Sequence, residues 1–120
     1  MTWIFDTYQT VRGEVDINTE ACCTGKFIGQ GGIKGRTEST GLGVFYTIKE
    51  LMGMDSFCKE VKLSPGLSGK KFVVQGFGNV GFWAAKFIKD EGGIITTVVE
   101  YNSAIHNENG IDVEDAKRYM

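Results

Sequence analysis

The sequence predicts an α/β fold built on a parallel β-α-β unit, and three observations carry that expectation. An apolar run, Phe72-Val-Val-Gln75, leads directly into the glycine turn Gly76-Phe-Gly-Asn-Val-Gly81. After the turn, Val80, Trp83, Ala84, Phe87 and Ile88 recur at helical spacing. A second apolar run from Ile94 then closes on the carboxylate Glu100, about 20 residues past the turn. Strand, glycine turn, helix, strand and acid is the order of the first half of a Rossmann-like, dinucleotide-binding fold.

The elements follow in chain order. Trp3, Ile4, Thr7, Tyr8 and Val11 form one stripe, so residues 1–12 read as the end of a helix stopped at Gly13. Residues 14–24 are mixed, with a short strand expected over Ala21-Cys-Cys-Thr24. Gly25 to Arg36 is dense in glycine yet too apolar and too charged for a flexible linker, and it reads as an ordered loop lining a cleft. A helix from Gly41 to about Met52 would present Val44, Phe45, Ile48, Leu51 and Met52, with Ser39 or Thr40 as its cap. Residues 53–70, with Ser64-Pro-Gly-Leu-Ser-Gly69, read as the connection between domains. Strand one is Lys71–Gln75. The next helix runs from about Asn79 to Glu91, and Gly92-Gly93 ends it. Strand two is Ile94–Glu100, followed by a loop to Gly110. Asp112 then caps a last helix carrying Val113, Ala116 and Met120. The resulting organisation is 1–52, 53–70 and 71–120, the last an incomplete nucleotide-binding domain. A full one needs about 150 residues, so the chain reads as a fragment of a larger enzyme, with a small complete domain as the alternative.

Bulk properties narrow the function. Net charge is −2 with a pI near 5.4 and no basic run, which argues against nucleic acid as a partner. No apolar stretch reaches the roughly 18–20 residues that would span a bilayer, and no targeting segment is visible. Three cysteines, two of them adjacent, do not make a disulfide framework. Cys22 and Cys23 read as small buried hydrophobes, with a reactive thiol as the alternative. His106 is the single histidine and nothing has zinc spacing, so no metal site is expected.

In the turn each glycine has its own task. Gly76 permits the tight bend, Gly78 lets a pyrophosphate approach the main chain, and Gly81 lets the helix pack on the strand. The first helical amides and the helix dipole then favour an anion by about 0.3–1 kcal/mol. Glu100 would accept hydrogen bonds from the ribose hydroxyls and repel a 2′-phosphate. No Lys or Arg follows it before Lys117, which favours NAD while leaving NADP open.

Taken together, Asp16-Ile-Asn18, Thr24-Gly-Lys26, Gln30-Gly-Gly-Ile-Lys-Gly-Arg36, Thr40-Gly41, Val74-Gln-Gly-Phe-Gly-Asn-Val-Gly81 and Asn109-Gly-Ile-Asp112 closely resemble glutamate dehydrogenase, most of all the hexameric animal-mitochondrial type. The resemblance implies oxidative deamination of L-glutamate to 2-oxoglutarate and ammonium with NAD(P), a homo-hexamer, and the mitochondrial matrix. It implies that residues 1–52 end the substrate domain and that the catalytic lysine and aspartate lie outside these residues. No catalytic residue is therefore assigned here. It places Thr40 at the nicotinamide carboxamide and Arg36 at the substrate end of the cleft. It also places Gly76, Phe77, Gly78, Asn79, Val80 and Gly81 at the pyrophosphate, Glu100 at the ribose, and Tyr101 beside it. Phe27 stands where the family has proline, Leu42 where the animal enzymes have arginine, and Asn102-Ser103 where an Asp-Gly pair follows the ribose acid. Leucine, phenylalanine or valine dehydrogenases are the rival enzymes, and an NAD-binding fragment without catalysis is the rival of another class.

Overall fold

The computed structural model describes residues 1–119 of the 120. The chain forms two compact units, Met1–Thr37 and Glu38–Met120.

In the first unit, α1 spans Thr2–Arg12. Its apolar stripe is present but buries nothing, and Trp3 is 86% exposed. Two side-chain bonds tie α1 to the segments that follow. The Tyr8 hydroxyl donates to the Asp16 carboxylate at 2.9 Å, and Thr2 Oγ1 donates to Gln30 Oε1 at 2.8 Å. The carboxylate beside Tyr8 holds its phenol pKa above the usual value. The strand expected over Ala21–Thr24 is not formed. Residues Thr19–Cys22 make a 3₁₀ turn instead, because no neighbouring strand offers a ladder while Ala21 N–H reaches Asn18 C=O locally at 2.8 Å. A second 3₁₀ turn, Ile28–Gln30, punctuates the glycine-dense loop. Gly32 is obligatory there, since a Cβ would lie 2.2 Å from the Lys26 carbonyl oxygen. Neither Cys22, exposed, nor Cys23, half-buried, is the buried hydrophobe expected; the buried cysteine is Cys58, for which the sequence offers no such expectation.

The second unit runs α2 (Ser39–Gly53), α3 (Asp55–Glu60), β1 (Lys71–Gln75), α4 (Asn79–Asp90), β2 (Ile94–Val99), β3 (Ala104–His106) and α5 (Val113–Tyr119). Glu38, not Ser39 or Thr40, occupies the cap position of α2. Leu42 N–H already bonds Glu38 C=O at 2.9 Å, so both hydroxyl residues lie on the first helical turn. Phe45 and Met52 of α2 are buried and Ile48 half-buried, while Val44 and Leu51 flank the stripe. The 53–70 connection contains α3, which is too short to show a period. It is supported by Asp55 in its first turn and Lys59 in its last, matching the helix dipole.

The sheet has the order β1-β2-β3. β1 and β2 are parallel, as their crossover through α4 requires. The predicted loop after Glu100 conceals β3, antiparallel to β2 and only three residues long. The parallel register slips between Phe72 and Val73, so that Phe72 faces Ile95 while Val73 faces Thr97. In a regular strand Ile95 and Val98 would point to opposite faces. The slip lets both enter one core, at 1% and 0% exposure. There they meet Phe82, Ala85 and Ile88 of α4 and Val113 and Ala116 of α5. Phe82 and Ala85 lie outside the stripe expected for α4, which is apolar around most of its girth because it packs on α2, α5 and the sheet together. Asp112 caps α5 as expected, accepting Asp115 N–H at 2.9 Å, and Lys89 of α4 donates to it at 2.9 Å. These two contacts lower its carboxyl pKa to about 2, the lysine contributing most. Met120, expected on the last helix, falls outside the described residues.

Candidate functional site

The glycine turn sits where β1 hands over to α4. Gly76 N–H continues the parallel ladder to Val99 C=O at 2.8 Å, and the chain then bends with Gly76 at φ +83°, a conformation that L side chains avoid. Phe77 is an anchor: its ring is buried edge-on against Phe82, with centroids 6.0 Å apart. At Gly78 a Cβ would meet nothing within 4 Å, so the space above this stretch of main chain is open. At Gly81 it would lie 1.9 Å from the Gly76 carbonyl oxygen. Two glycines of one motif therefore do different things: Gly81 makes the turn sterically feasible, and Gly78 leaves room above it.

Helix α4 starts at Asn79 with Gly78 in the cap position and no side-chain cap. The first amides of a helix lack intrahelical acceptors, and the dipole adds partial positive charge there. Asn79 and Val80 are exposed at this end and Gly81 is half-buried. Glu100 reaches the turn from the far side. Its own N–H bonds Ser103 C=O at 2.8 Å, and its carboxylate accepts the N–H of Phe77. The acid and the glycine turn, distant in sequence, are thus directly bonded. Around them lies a largely polar cleft of about 380 Å³ lined by Phe77, Gly78, Glu100, Tyr101, Asn102, Ser103 and Tyr119. Tyr101, 95% exposed, stands at its rim. Tyr119 carries no signal in the sequence; only the packing of α5 on α4 brings it here.

A second, larger and mostly apolar cleft of about 570 Å³ runs along β1 between α2 and α4, lined by Val44, Ile48, Val74, Gly76 and Val80 among others. Gly41 makes that arrangement feasible. A Cβ there would lie 2.5 Å from Trp83 Cβ and 2.9 Å from the Val80 carbonyl oxygen, so α2 and α4 cross at backbone contact. Thr40, exposed, is the residue beside that contact, so its position is set by the crossing next to the first turn of α4. Arg36 belongs to the first unit, where it is exposed and its N–H bonds Ile33 C=O at 3.3 Å.

Comparison with known proteins places this geometry among relatives. Residues 31–120 match the family model described as Glutamate/Leucine/Phenylalanine/Valine dehydrogenase. The mitochondrial glutamate dehydrogenase of Dictyostelium discoideum is 47% identical over 119 residues, which are 99% of this chain and 24% of that protein. The glutamate dehydrogenase structure from Peptoniphilus asaccharolyticus superimposes with a TM-score of 0.72 at 34% identity, covering 98% of this chain and 29% of that one. The leucine-bound hetero-hexameric glutamate dehydrogenase from Thermus thermophilus gives 0.72 at 29% identity, covering 98% and 26%. The chain thus spans about a quarter of the length of these relatives.

Proposed function

From the premise that the chain belongs to the Glutamate/Leucine/Phenylalanine/Valine dehydrogenase family, we propose that it is the cofactor-binding portion of an NAD(P)-dependent glutamate dehydrogenase. Such an enzyme oxidatively deaminates L-glutamate to 2-oxoglutarate and ammonium. The observation that carries this reading is the bond between Glu100 and the Phe77 amide, beside the open main chain at Gly78. It sets an acid for ribose hydroxyls one turn away from a helix N-terminus for phosphates.

The residues then divide the work. Gly78, Asn79 and Val80 present the opening amides of α4 to the pyrophosphate. Phe77 supports them by anchoring its ring in the core. Glu100 takes the ribose, Tyr101 borders it, and Thr40 meets the nicotinamide carboxamide. Arg36, whose guanidinium offers paired donors, receives a substrate carboxylate. The two clefts and the exposed edge residue Val73 suit a nucleotide on one side and further strands on the other. In this reading residues 1–52 end the substrate domain, 53–70 connect, and 71–120 begin the nucleotide domain. In the same reading the full-length enzyme is a homo-hexamer of the mitochondrial matrix; a hexameric relative and a mitochondrial one support it.

Calorimetric titration of the chain with NAD and with NADP tests the cofactor half. Tighter binding of NAD is expected because a 2′-phosphate would face Glu100. Tighter NADP binding would overturn that preference, and no binding of either would overturn the site. A panel of glutamate, leucine, phenylalanine and valine with the full-length enzyme tests the substrate half. Glutamate should dominate, and turnover of leucine without glutamate would reassign the substrate. The 120 residues alone should form no NADH from glutamate.

A further inference from the structure

Cys22 and Cys23 play no part in the site above, yet they form a defined pair. Both are free thiols, Cys22 exposed and Cys23 half-buried. Their sulfurs lie 3.8 Å apart. Neighbouring side chains in an extended strand point to opposite faces. Here the 3₁₀ turn ends at Cys22 while Cys23 is extended at φ −153°, ψ 151°, and this change of conformation brings both thiols together. The Lys26 ammonium holds the bend, donating to the carbonyls of Glu20 at 2.6 Å and Cys23 at 2.5 Å. Cys58 offers a contrast: it is 1% exposed and its thiol donates to Met52 C=O at 3.3 Å.

Two chemistries compete for such a pair. A disulfide prefers Cα atoms about 4.4–6.8 Å apart. Adjacent residues across a trans peptide are held at about 3.8 Å, so closure requires strain. A chelate has no such conflict. One bridging atom bonded to each sulfur at about 2.3 Å spans about 3.8 Å at a tetrahedral angle and roughly 3.4 Å at the narrower angle of a three-coordinate, pyramidal atom. The sulfurs, 3.8 Å apart, need only a small side-chain rotation to reach the shorter span. A tetrahedral metal ion needs four ligands, and among the described residues no group of three or more His, Cys, Asp or Glu side chains converges. The ligand must therefore be satisfied by two sulfurs.

We propose that Cys22-Cys23 is a dithiol site for trivalent organoarsenicals of the form R–As=O, which are three-coordinate and need only two sulfurs beside their own substituent. In the reaction the As=O bond breaks and two As–S bonds form. The oxygen leaves as water with both thiol protons, and arsenic stays trivalent, so no oxidant or reductant takes part.

The test is intact-mass spectrometry of the reduced chain with phenylarsine oxide in non-denaturing buffer. One equivalent should add with loss of one water, be released by dithiothreitol, and resist a monothiol at equal thiol concentration. Cys58→Ser should keep full uptake, while Cys22→Ser and Cys23→Ser should each abolish the stable adduct. Unchanged uptake in either of the last two, an adduct formed only after denaturation, or no adduct at all would overturn the assignment. Should a serine variant lose the wild-type circular dichroism, alkylation of the wild-type chain decides the matter. Joint protection of Cys22 and Cys23 by the arsenical is expected, and alkylation of either one in its presence refutes the site.

Discussion

Replacing Gly81 and Gly78 by alanine, one at a time, should separate folding from cofactor binding within a single motif. At Gly81 the new Cβ would lie 1.9 Å from the Gly76 carbonyl oxygen. Real Cβ contacts essentially never fall below 3.0 Å, so the carbonyl must retreat by about 1.1 Å, the gap between 1.9 and 3.0 Å. It has little freedom to do so, because Gly76 N–H is bonded to Val99 C=O at 2.8 Å and Phe77 N–H to Glu100. Overpacking of this kind costs about 1–3 kcal/mol, and alanine's better helix propensity returns roughly 0.5–1. The obstacle is backbone rather than the tip of a side chain, so the net loss should be roughly 2 kcal/mol. That corresponds to a fall in Tm of roughly 8–16 °C for a unit of this size. At Gly78, φ is −69° and the Cβ meets nothing, so Tm should change by less than about 3 °C. The same methyl would occupy the space proposed for the pyrophosphate, so NAD affinity should fall sharply. Thermal melts by circular dichroism and NAD titration read the two effects separately. A Gly81→Ala chain that melts with the wild type, or a Gly78→Ala chain that loses stability and keeps NAD, would refute the division of labour.

Further outcomes follow from other contacts. Asp112 has its pKa lowered to about 2 by Lys89 and the Asp115 amide. Its contribution to stability is complete above the unfolded carboxyl pKa of about 4. It is lost as pH falls from there through 2, so Asp112→Asn should flatten the fall in Tm between pH 4 and 2 and leave its other side intact. Glu100→Gln keeps the shape but removes the charge from the proposed ribose contact. Charged hydrogen bonds are worth about 1.5–3 kcal/mol, so Kd for NAD should rise about 10- to 100-fold while the preference over NADP narrows. Gly32→Ala puts a Cβ 2.2 Å from the Lys26 carbonyl oxygen, whereas Gly29→Ala meets nothing. Amide exchange over residues 26–32 should accelerate in the first and stay unchanged in the second.

Elements long enough to show a period were legible in the sequence. Lys71–Gln75 was placed to the residue, and α4 and β2 came within one residue of their observed ends. The Asp112 cap could be read because a cap is a local bond between near neighbours. Short elements could not be read. β3 exists because β2 has an edge to pair with, and α3 because Cys58 and Phe57 find cover; neither cause is visible in three to six residues. The strand expected at Ala21–Thr24 failed for the converse reason, since a strand needs a partner and the sheet formed by the described residues is confined to β1, β2 and β3.

The sequence by itself determined the motif order and the residue types at the glycine turn, because glycine spacing and apolar periodicity are local properties of the chain. The tertiary structure alone decided which glycine is sterically obligatory, since that depends on an oxygen that only the folded turn brings close. It also decided that Glu100 binds the turn through Phe77, that Gly41 marks a backbone crossing, and that the register slip admits Ile95 and Val98 to one core. The physical reason is common to all of these: contacts between residues far apart in the chain are set by packing, and packing is a property of the whole assembled unit.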